Sequence, residues 1–337
     1  MRALVFGADR VPRVQRVPEP TPGSGEVLLR VEAAGICHTD HDILHGRYPA
    51  ALPRVPGHEF AGEIVELGHD VTRWRVGDRV AVDPLVACDR CPNCRRGHRN
   101  LCREIAAYGA DLDGGAAEFA VVRAQNAHAV GDLPGSVAAL AEPLACATLG
   151  VRRANPRPEA RALVLGAGPI GLLLAVALRS HGVRDIGICD LFEERLTRAR
   201  AFGVSATYPA GPDLPQQLLA DHGPEAGRFD LVIDATGRPE VVQQGLALLR
   251  DAGTLLVFGV CPPGSGVTVD PHEVYARQLT ILGSFSLAGT LPEAITTLRT
   301  TSLPAADLVS HTFALDEAVD AFHRIGSPDT LKIQVTP

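Results

Sequence analysis

The apolar positions of this chain change rhythm near residue 150. Up to that point they form short runs broken by Gly and Pro: residues 1–6, 26–32, 63–67 and 79–82 read as strands, separated by turn signals such as Pro22-Gly23 and Gly77-Asp78. This spacing predicts a mostly β module. From about residue 160 apolar runs alternate with helical patterns: strand 161–165, a helix through Leu178, strand 185–189, helix 193–201, strand 229–234, helix 240–249 and strand 254–258. Such alternation predicts a parallel sheet covered by helices on both faces. Asn155-Pro156-Arg157-Pro158 marks the junction, and the sequence holds no internal repeat, low-complexity tract or long run of like charge. The longest apolar run, 172–178, is far below the ~18 residues of a membrane span, and residues 1–6 lack the h-region and cleavage site of a signal peptide. The expectation is a cytoplasmic protein with no membrane partner.

Composition sharpens this picture. At ~100–200 residues per domain, 337 residues suggest two domains, and 46% hydrophobic with 21% charged residues is a globular balance. A net charge of −7 repels a phosphate backbone, so nucleic acid is not expected as a partner. Lys332 is the sole lysine among 32 basic residues; its place near the end of the sequence argues against Schiff-base or lysine-base chemistry. Eight cysteines (Cys37, Cys88, Cys91, Cys94, Cys102, Cys146, Cys189, Cys261) are unevenly spread, and in a reducing compartment a cluster of them points to metal rather than disulfides.

Leu163-Val164-Leu165-Gly166-Ala167-Gly168-Pro169-Ile170-Gly171 sets G-x-G-x-x-G between an apolar strand and an apolar helix. Gly166 allows the tight turn, Gly168 removes a side chain from the path of a pyrophosphate, and Gly171 lets helix and strand pack closely, while the helix N-terminus offers unpaired N–H groups. The next strand ends in Asp190, placed to accept both ribose hydroxyls, and no cation stands at Leu191 or Phe192 to hold a 2′-phosphate; NAD is therefore favoured over NADP. The alternative is that Asp190 only caps a helix whose Glu193, Glu194 and Arg195 are solvated.

Cys88-x2-Cys91-x2-Cys94-x7-Cys102 supplies four thiolates from one Pro-, Gly- and Asn-rich loop, a spacing suited to a closed tetrahedral structural zinc. An iron–sulfur cluster is the competitor, but its usual ferredoxin spacing is not matched. Arg90, Arg95, Arg96 and Arg99 offset the thiolate charge. A catalytic metal with an open position draws ligands from separate segments. Three segments stand out: Gly35-Ile36-Cys37-His38-Thr39-Asp40, Pro56-Gly57-His58-Glu59 and Ala141-Glu142-Pro143-Leu144-Ala145-Cys146. Spacing alone does not connect them, since a lone Cys or His is more often structural.

These motifs, with Val-Gly-Asp-Arg-Val at 76–80 and Glu-Pro-Leu at 142–144, make the whole chain resemble a zinc-dependent medium-chain dehydrogenase/reductase of the alcohol and polyol dehydrogenase superfamily, in its sorbitol, arabitol and threonine dehydrogenase-like branch. The resemblance implies an α/β protein: a GroES-like β-rich catalytic domain (1–150 and 291–337, zinc loop 88–102) and a Rossmann domain (151–290), with the active site in the cleft between. It implies Cys37, His58, Glu59 and Glu142 around a catalytic zinc, with Glu59 or Glu142 binding directly or through water, and Cys88, Cys91, Cys94 and Cys102 around a structural one. Cys146 reads as a small buried residue rather than a substitute ligand, and Cys189 and Cys261 likewise. Thr39 matches the residue that accepts the substrate proton. His38 resembles a pyrophosphate contact of yeast-type alcohol dehydrogenases, joining Gly166, Gly168, Pro169, Ile170, Gly171, Asp190 and Arg195 in the cofactor set. The family often has His where Asp42 stands, so the relay passes through the adjacent His41 or leaves another way. His45, His69 and His98 read as surface residues.

The implied reaction is hydride transfer from a secondary alcohol to NAD. Gly283-Ser284-Phe285-Ser286 resembles a turn of arabitol-like enzymes, and the Arg-Tyr and Glu-Thr-Trp segments of sorbitol and threonine dehydrogenases are missing, which favours a polyol, sugar or cyclitol. Threonine, amino-alcohol and simple alcohol substrates are the alternatives. From other classes, a zinc-free quinone reductase and a non-catalytic dinucleotide-binding protein conflict with the retained metal-type residues. By analogy with the family, the strand at 279–282 would pair subunits into a homodimer or homotetramer.

Overall fold

The computed structural model describes residues 1–337, the side chains of 224–226 excepted. The chain divides into two units: Met1–Ala145 with Leu287–Thr300 and Ala305–Pro337, and Cys146–Ser286 with Thr301–Pro304. Among the described residues no helix is long and apolar enough to cross a membrane.

In the first unit β1 (Arg2–Phe6) pairs antiparallel with β2 (Pro12–Arg16). β3 (Glu26–Ile36) leads into α1 (His38–Leu44), followed by β4 (Glu59–Leu67) and β5 (Arg79–Val82). β6 (Leu85–Val86) and β7 (Ala106–Ala107) pair across the loop that carries the short α2 (Pro92–Arg95). β8 (Phe119–Arg123), β9 (Ala127–Ala129) and α3 (Gly135–Ala138) follow, and α4 (Ala141–Ala154) begins in this segment and continues into the second unit. Val27, Leu29 and Val31, alternate residues of β3, share one buried face with Phe60, Ile64, Val80 and Val122. A second cluster fixes α1: Ile43 packs with Phe6, Val55, Leu315 and Val335.

The second unit holds β10 (Arg161–Leu165), α5 (Pro169–Ser180), β11 (Asp185–Asp190), α6 (Glu193–Ala199), β12 (Ala206–Pro209), α7 (Leu214–Ala226), β13 (Phe229–Asp234), α8 (Pro239–Ala247), β14 (Leu249–Val257), α9 (Pro271–Ala276) and β15 (Thr280–Gly283). The six strands are parallel in the order β12-β11-β10-β13-β14-β15, the doubly wound Rossmann pattern. Ala162 to Leu165 of β10 are wholly buried, as a central strand covered on both faces must be.

The chain then returns to the first unit through α10 (Leu291–Thr300), β16 (Val309–Ala314), α11 (Ala318–Ala321) and β17 (Lys332–Thr336). β17 lies antiparallel to β3, and the sheet runs β16-β17-β3-β4-β5-β9 with β8 also on β3. β14 begins at Leu249, five residues before its expected start and inside the expected end of the preceding helix, and two strands of the first unit also outrun their sequence expectation. β3 continues past Glu32 to Ile36, and β4 starts at Glu59 rather than Glu63, because each extension is paired with the other. β12 and α7 have no counterpart among the predicted elements.

Candidate active site and metal centres

The paired extensions of β3 and β4 build the site. Gly35 stands opposite Glu59, which brings Cys37 and the His58-Glu59 step to the same end of the sheet. A Cβ on Gly35 would lie 2.2 Å from Glu59 Oε2, so glycine is what lets that carboxylate stand over the strand. Gly57, at φ +90°, turns the chain into His58 through a conformation that side chains disfavour. Cys37 caps α1, and its N–H donates to Asp40 Oδ2 at 2.8 Å, the returning half of a capping box. The other Asp40 oxygen, Oδ1, lies 3.6 Å from His58 Nδ1 and is buried without a hydrogen-bond partner.

Donor atoms of Cys37, His58 and Glu59 all fall within 4.8 Å of one another. Lys332, first residue of β17, donates to Glu59 Oε1 at 2.7 Å, and Glu59 Oε2 is left buried without a partner. Burial opposes the charge of Lys332, but Glu59, Cys37 and Glu142 outweigh it and raise its pKa, so it stays an ammonium. Burial likewise opposes protonation of His58, yet Asp40 and Cys37 hold its pKa well above the ordinary value. An imidazole driven toward its cationic form beside a sulfur and two orphaned carboxylate oxygens marks a pocket of excess negative charge. A cation would balance it, and a sulfur, nitrogen and oxygen donor set suits Zn²⁺.

Glu142, at the head of α4 and 6% exposed, is not in this donor group; its charge acts on Lys332 instead. Lys332 is the residue that sequence reasoning set aside. Pairing of Ile333 with Ile36 carries it to the end of β3, and burial makes the chain's one lysine a counter-ion within the site. A lone Lys ahead of the alternating Ile333 and Val335 was its signal. Thr39 is half-buried, its Oγ1 3.6 Å from Cys37 Sγ. His38 is exposed on α1. Arg47 engages both relay candidates, donating through Nη2 to His41 Nδ1 at 3.0 Å and through Nε to Asp42 Oδ1 at 2.8 Å. Of the three cysteines expected to be buried, Cys189 is, and burial pushes its thiol up to about 12; Cys146 and Cys261 are only half-buried. His45, His69 and His98 are exposed.

The four sulfurs of Cys88, Cys91, Cys94 and Cys102 also lie within 4.8 Å of one another, in a cluster of their own. Cys91 and Cys94 Sγ are 3.5 Å apart, too far for a disulfide. Backbone N–H groups of Cys88 and Glu104 both donate to Cys102 Sγ at 3.3 Å. Such bonds draw Cys91 and Cys102 down toward thiolate, whereas burial and the neighbouring sulfurs push Cys94 up. The four cannot all ionise without a cation among them, which is the electrostatics of a closed zinc site.

In the second unit Gly166 turns at φ +107°. A Cβ on Gly171 would sit 1.8 Å from Gly166 O, whereas one on Gly168 would meet only Arg195 Nη1, at 4.0 Å. The first glycine contact is helix-to-strand packing; the second is open space above the N-terminus of α5, where Pro169 and Ile170 begin the helix. Asp190 Oδ2 accepts from Ala167 N at 2.7 Å and Oδ1 from Phe192 N at 3.0 Å, tying the turn to the end of β11. Arg195 is not solvated: its guanidinium stacks on Phe192 and lies 3.9 Å from Asp190 Oδ2.

The family described as alcohol dehydrogenase GroES-like domain matches residues 23–132, and that described as zinc-binding dehydrogenase matches 169–300. D-altritol 5-dehydrogenase of Agrobacterium fabrum is 44% identical over 317 residues, 92% of each chain. D-arabinitol dehydrogenase 1 of Uromyces fabae is 32% identical over 100% of this chain and 97% of its own. A zinc-binding dehydrogenase of Sinorhizobium meliloti, solved bound to NADP, superposes with a TM-score of 0.95 at 33% identity, covering 100% of this chain and 99% of that one.

Proposed function

The chain belongs to the zinc-type medium-chain dehydrogenases, the alcohol and polyol dehydrogenase family, and on that premise we propose that it oxidises a secondary alcohol of a polyol, sugar or cyclitol to the ketone, reversibly, with NAD and two zinc ions. The observation that carries this reading is the donor group Cys37, His58 and Glu59 with its buried counter-ion Lys332. Polyol-type relatives, the altritol and arabinitol enzymes among them, support the substrate class.

Zinc at these residues would supply a Lewis acid that acidifies the substrate hydroxyl, and the nicotinamide would accept the carbon-bound hydrogen as hydride. Thr39, its Oγ1 3.6 Å from Cys37 Sγ, would accept the hydroxyl proton while giving up its own, which leaves through His41 or directly to water. Asp40 Oδ1, 3.6 Å from His58 Nδ1, is placed to orient the ring by its charge, the usual task of a carboxylate behind a metal-binding imidazole. Lys332 holds one oxygen of Glu59 and leaves the other without a hydrogen-bond partner. Glu142, outside the donor group in this structure, would be the further ligand by family resemblance. Cys88, Cys91, Cys94 and Cys102 would hold the structural ion. Gly168 would leave room for a pyrophosphate, and the Asp190 carboxylate would accept the ribose hydroxyls and repel a 2′-phosphate, which supports NAD.

A homodimer or homotetramer built on the edge strand β15, where Ile281 and, two residues past its end, Phe285 are exposed, is the assembly we infer. A cytoplasmic location suits eight free thiols. The test is a screen of altritol, arabinitol and other polyols, cyclitols, amino alcohols and simple alcohols with NAD⁺ and NADP⁺, followed by reduced-cofactor absorbance. Turnover of a polyol with NAD⁺ is expected; turnover confined to amino or simple alcohols, or to NADP⁺, overturns the assignment.

A further inference from the structure

The exposed face of α1 carries a third group of metal-type donors, whose clustering neither a relay through His41 nor a cofactor contact of His38 requires. His38, His41 and His45 follow at i, i+3 and i+7, with Asp42 at i+4, so all four side chains emerge from one side of the helix. The His38 and His41 ring centroids are 5.2 Å apart, those of His41 and His45 4.1 Å. His38 Nε2 lies 4.0 Å and His41 Nδ1 3.9 Å from Asp42 Oδ1, and donor atoms of these three residues all fall within 4.8 Å of one another. His45 spends its Nδ1 on the carbonyl of His41 at 2.8 Å and backs the His41 ring rather than completing the set.

A further observation separates this group from an ordinary solvated helix face. The guanidinium of Arg47 already sits on two of the donors as a cation, bonded to Asp42 Oδ1 at 2.8 Å and His41 Nδ1 at 3.0 Å. Those lone pairs are therefore aimed at a shared positive partner. Burial, His45, His38 and Arg47 together lower the pKa of His41, which keeps its ring neutral and able to donate. Zinc–nitrogen and zinc–oxygen bonds of about 2.0–2.2 Å place tetrahedral donors roughly 3.4 Å apart, so each donor here needs to move only about half an ångström. The His38 side chain is 69% exposed and free to swing by that much.

We propose that His38, His41 and Asp42 form an exchangeable binding site for a divalent transition-metal ion, Zn²⁺ in the first instance, which competes with Arg47 for the same donors. Two imidazoles and a carboxylate are an appropriate set for such an ion. Occupied, the site would pin α1, whose cap is Cys37 and whose first turn holds Thr39.

Equilibrium dialysis of the zinc-loaded enzyme against micromolar Zn²⁺ tests this. The protein is expected to take up about one further, weakly held equivalent, lost in the His38→Asn/His41→Asn variant while the tightly held zinc is retained. Arg47→Ala should bind the extra ion about tenfold more tightly, the scale of one charge-assisted hydrogen bond removed from the competing state. Should the double variant fail to fold, Cu²⁺ added to the unmodified enzyme should give an electron paramagnetic resonance spectrum coupled to two imidazole nitrogens. No further uptake, equal uptake by the double variant, unchanged affinity in Arg47→Ala, or a Cu²⁺ spectrum without two nitrogens overturns the proposal.

Discussion

The ammonium of Lys332 lies 2.7 Å from Glu59 Oε1, with both side chains buried. Removing one member of such a pair strands the other as an uncompensated charge, at a cost of ~3–5 kcal/mol. Lys332→Met should lose that much in urea denaturation, Lys332→Arg far less, and adding Glu59→Gln to Lys332→Met should recover part of the loss. Wild-type stability in Lys332→Met would show that the pair carries no such load.

Cys37→Ser removes the sulfur of the donor group without touching the glycine turn. Metal content is expected to fall by about one equivalent per chain and turnover by ~10³-fold or more, the scale of several kcal/mol of Lewis-acid stabilisation. NADH binding, read by fluorescence, should persist. Retained turnover removes Cys37 as a ligand.

Gly168 and Gly171 stand three residues apart and should respond oppositely to alanine. A methyl at Gly168 meets nothing closer than Arg195 Nη1 at 4.0 Å, so stability should hold within ~0.5 kcal/mol while cofactor affinity drops. A methyl at Gly171 collides with Gly166 O, so its variant should lose several degrees of Tm before any effect on binding is considered. Equal behaviour of the two would contradict the cradle reading.

Asp83, half-buried after β5, has its carboxyl pushed up to about 6 by burial, against the bond from Leu85 N and the charge of Arg99. A carboxyl raised in the folded state binds protons more tightly there than when unfolded. Its contribution to stability therefore falls as pH rises from about 4 to about 6 and stays lost above. Asp83→Asn, which keeps the acceptor for Leu85, should gain ~1–2 kcal/mol at pH 7, after discounting for solvent, and nothing near pH 4. Thermal melts across that range decide it.

Periodicity revealed the parallel sheet almost element by element, because β10, β13 and β14 are apolar runs bounded by turns and helices. It stopped short at the strand ends that matter most. Gly35 and Glu59 look like breakers when read alone; only their pairing, with the carboxylate filling the space a side chain would take, makes them strand. β12 and α7 escaped because Ala206-Thr207-Tyr208-Pro209 is short and ends in proline, and α7 contains prolines and glycine. The cysteine loop was legible from spacing since its ligands are local. Asp40 and Lys332 were not: one acts through a helix cap, the other through a strand pairing that no local pattern encodes.

The ion pair of Glu59 and Lys332 joins residues 273 positions apart. At ~5–20 residues per second of synthesis, Glu59 would emerge ~15–55 s before its counter-ion exists. During that interval the growing chain holds a carboxylate beside Cys37 and His58 with no ammonium to oppose it, the state in which capture of a metal ion is electrostatically easiest. Order of synthesis thus puts the local demand for a cation ahead of the arrival of Lys332.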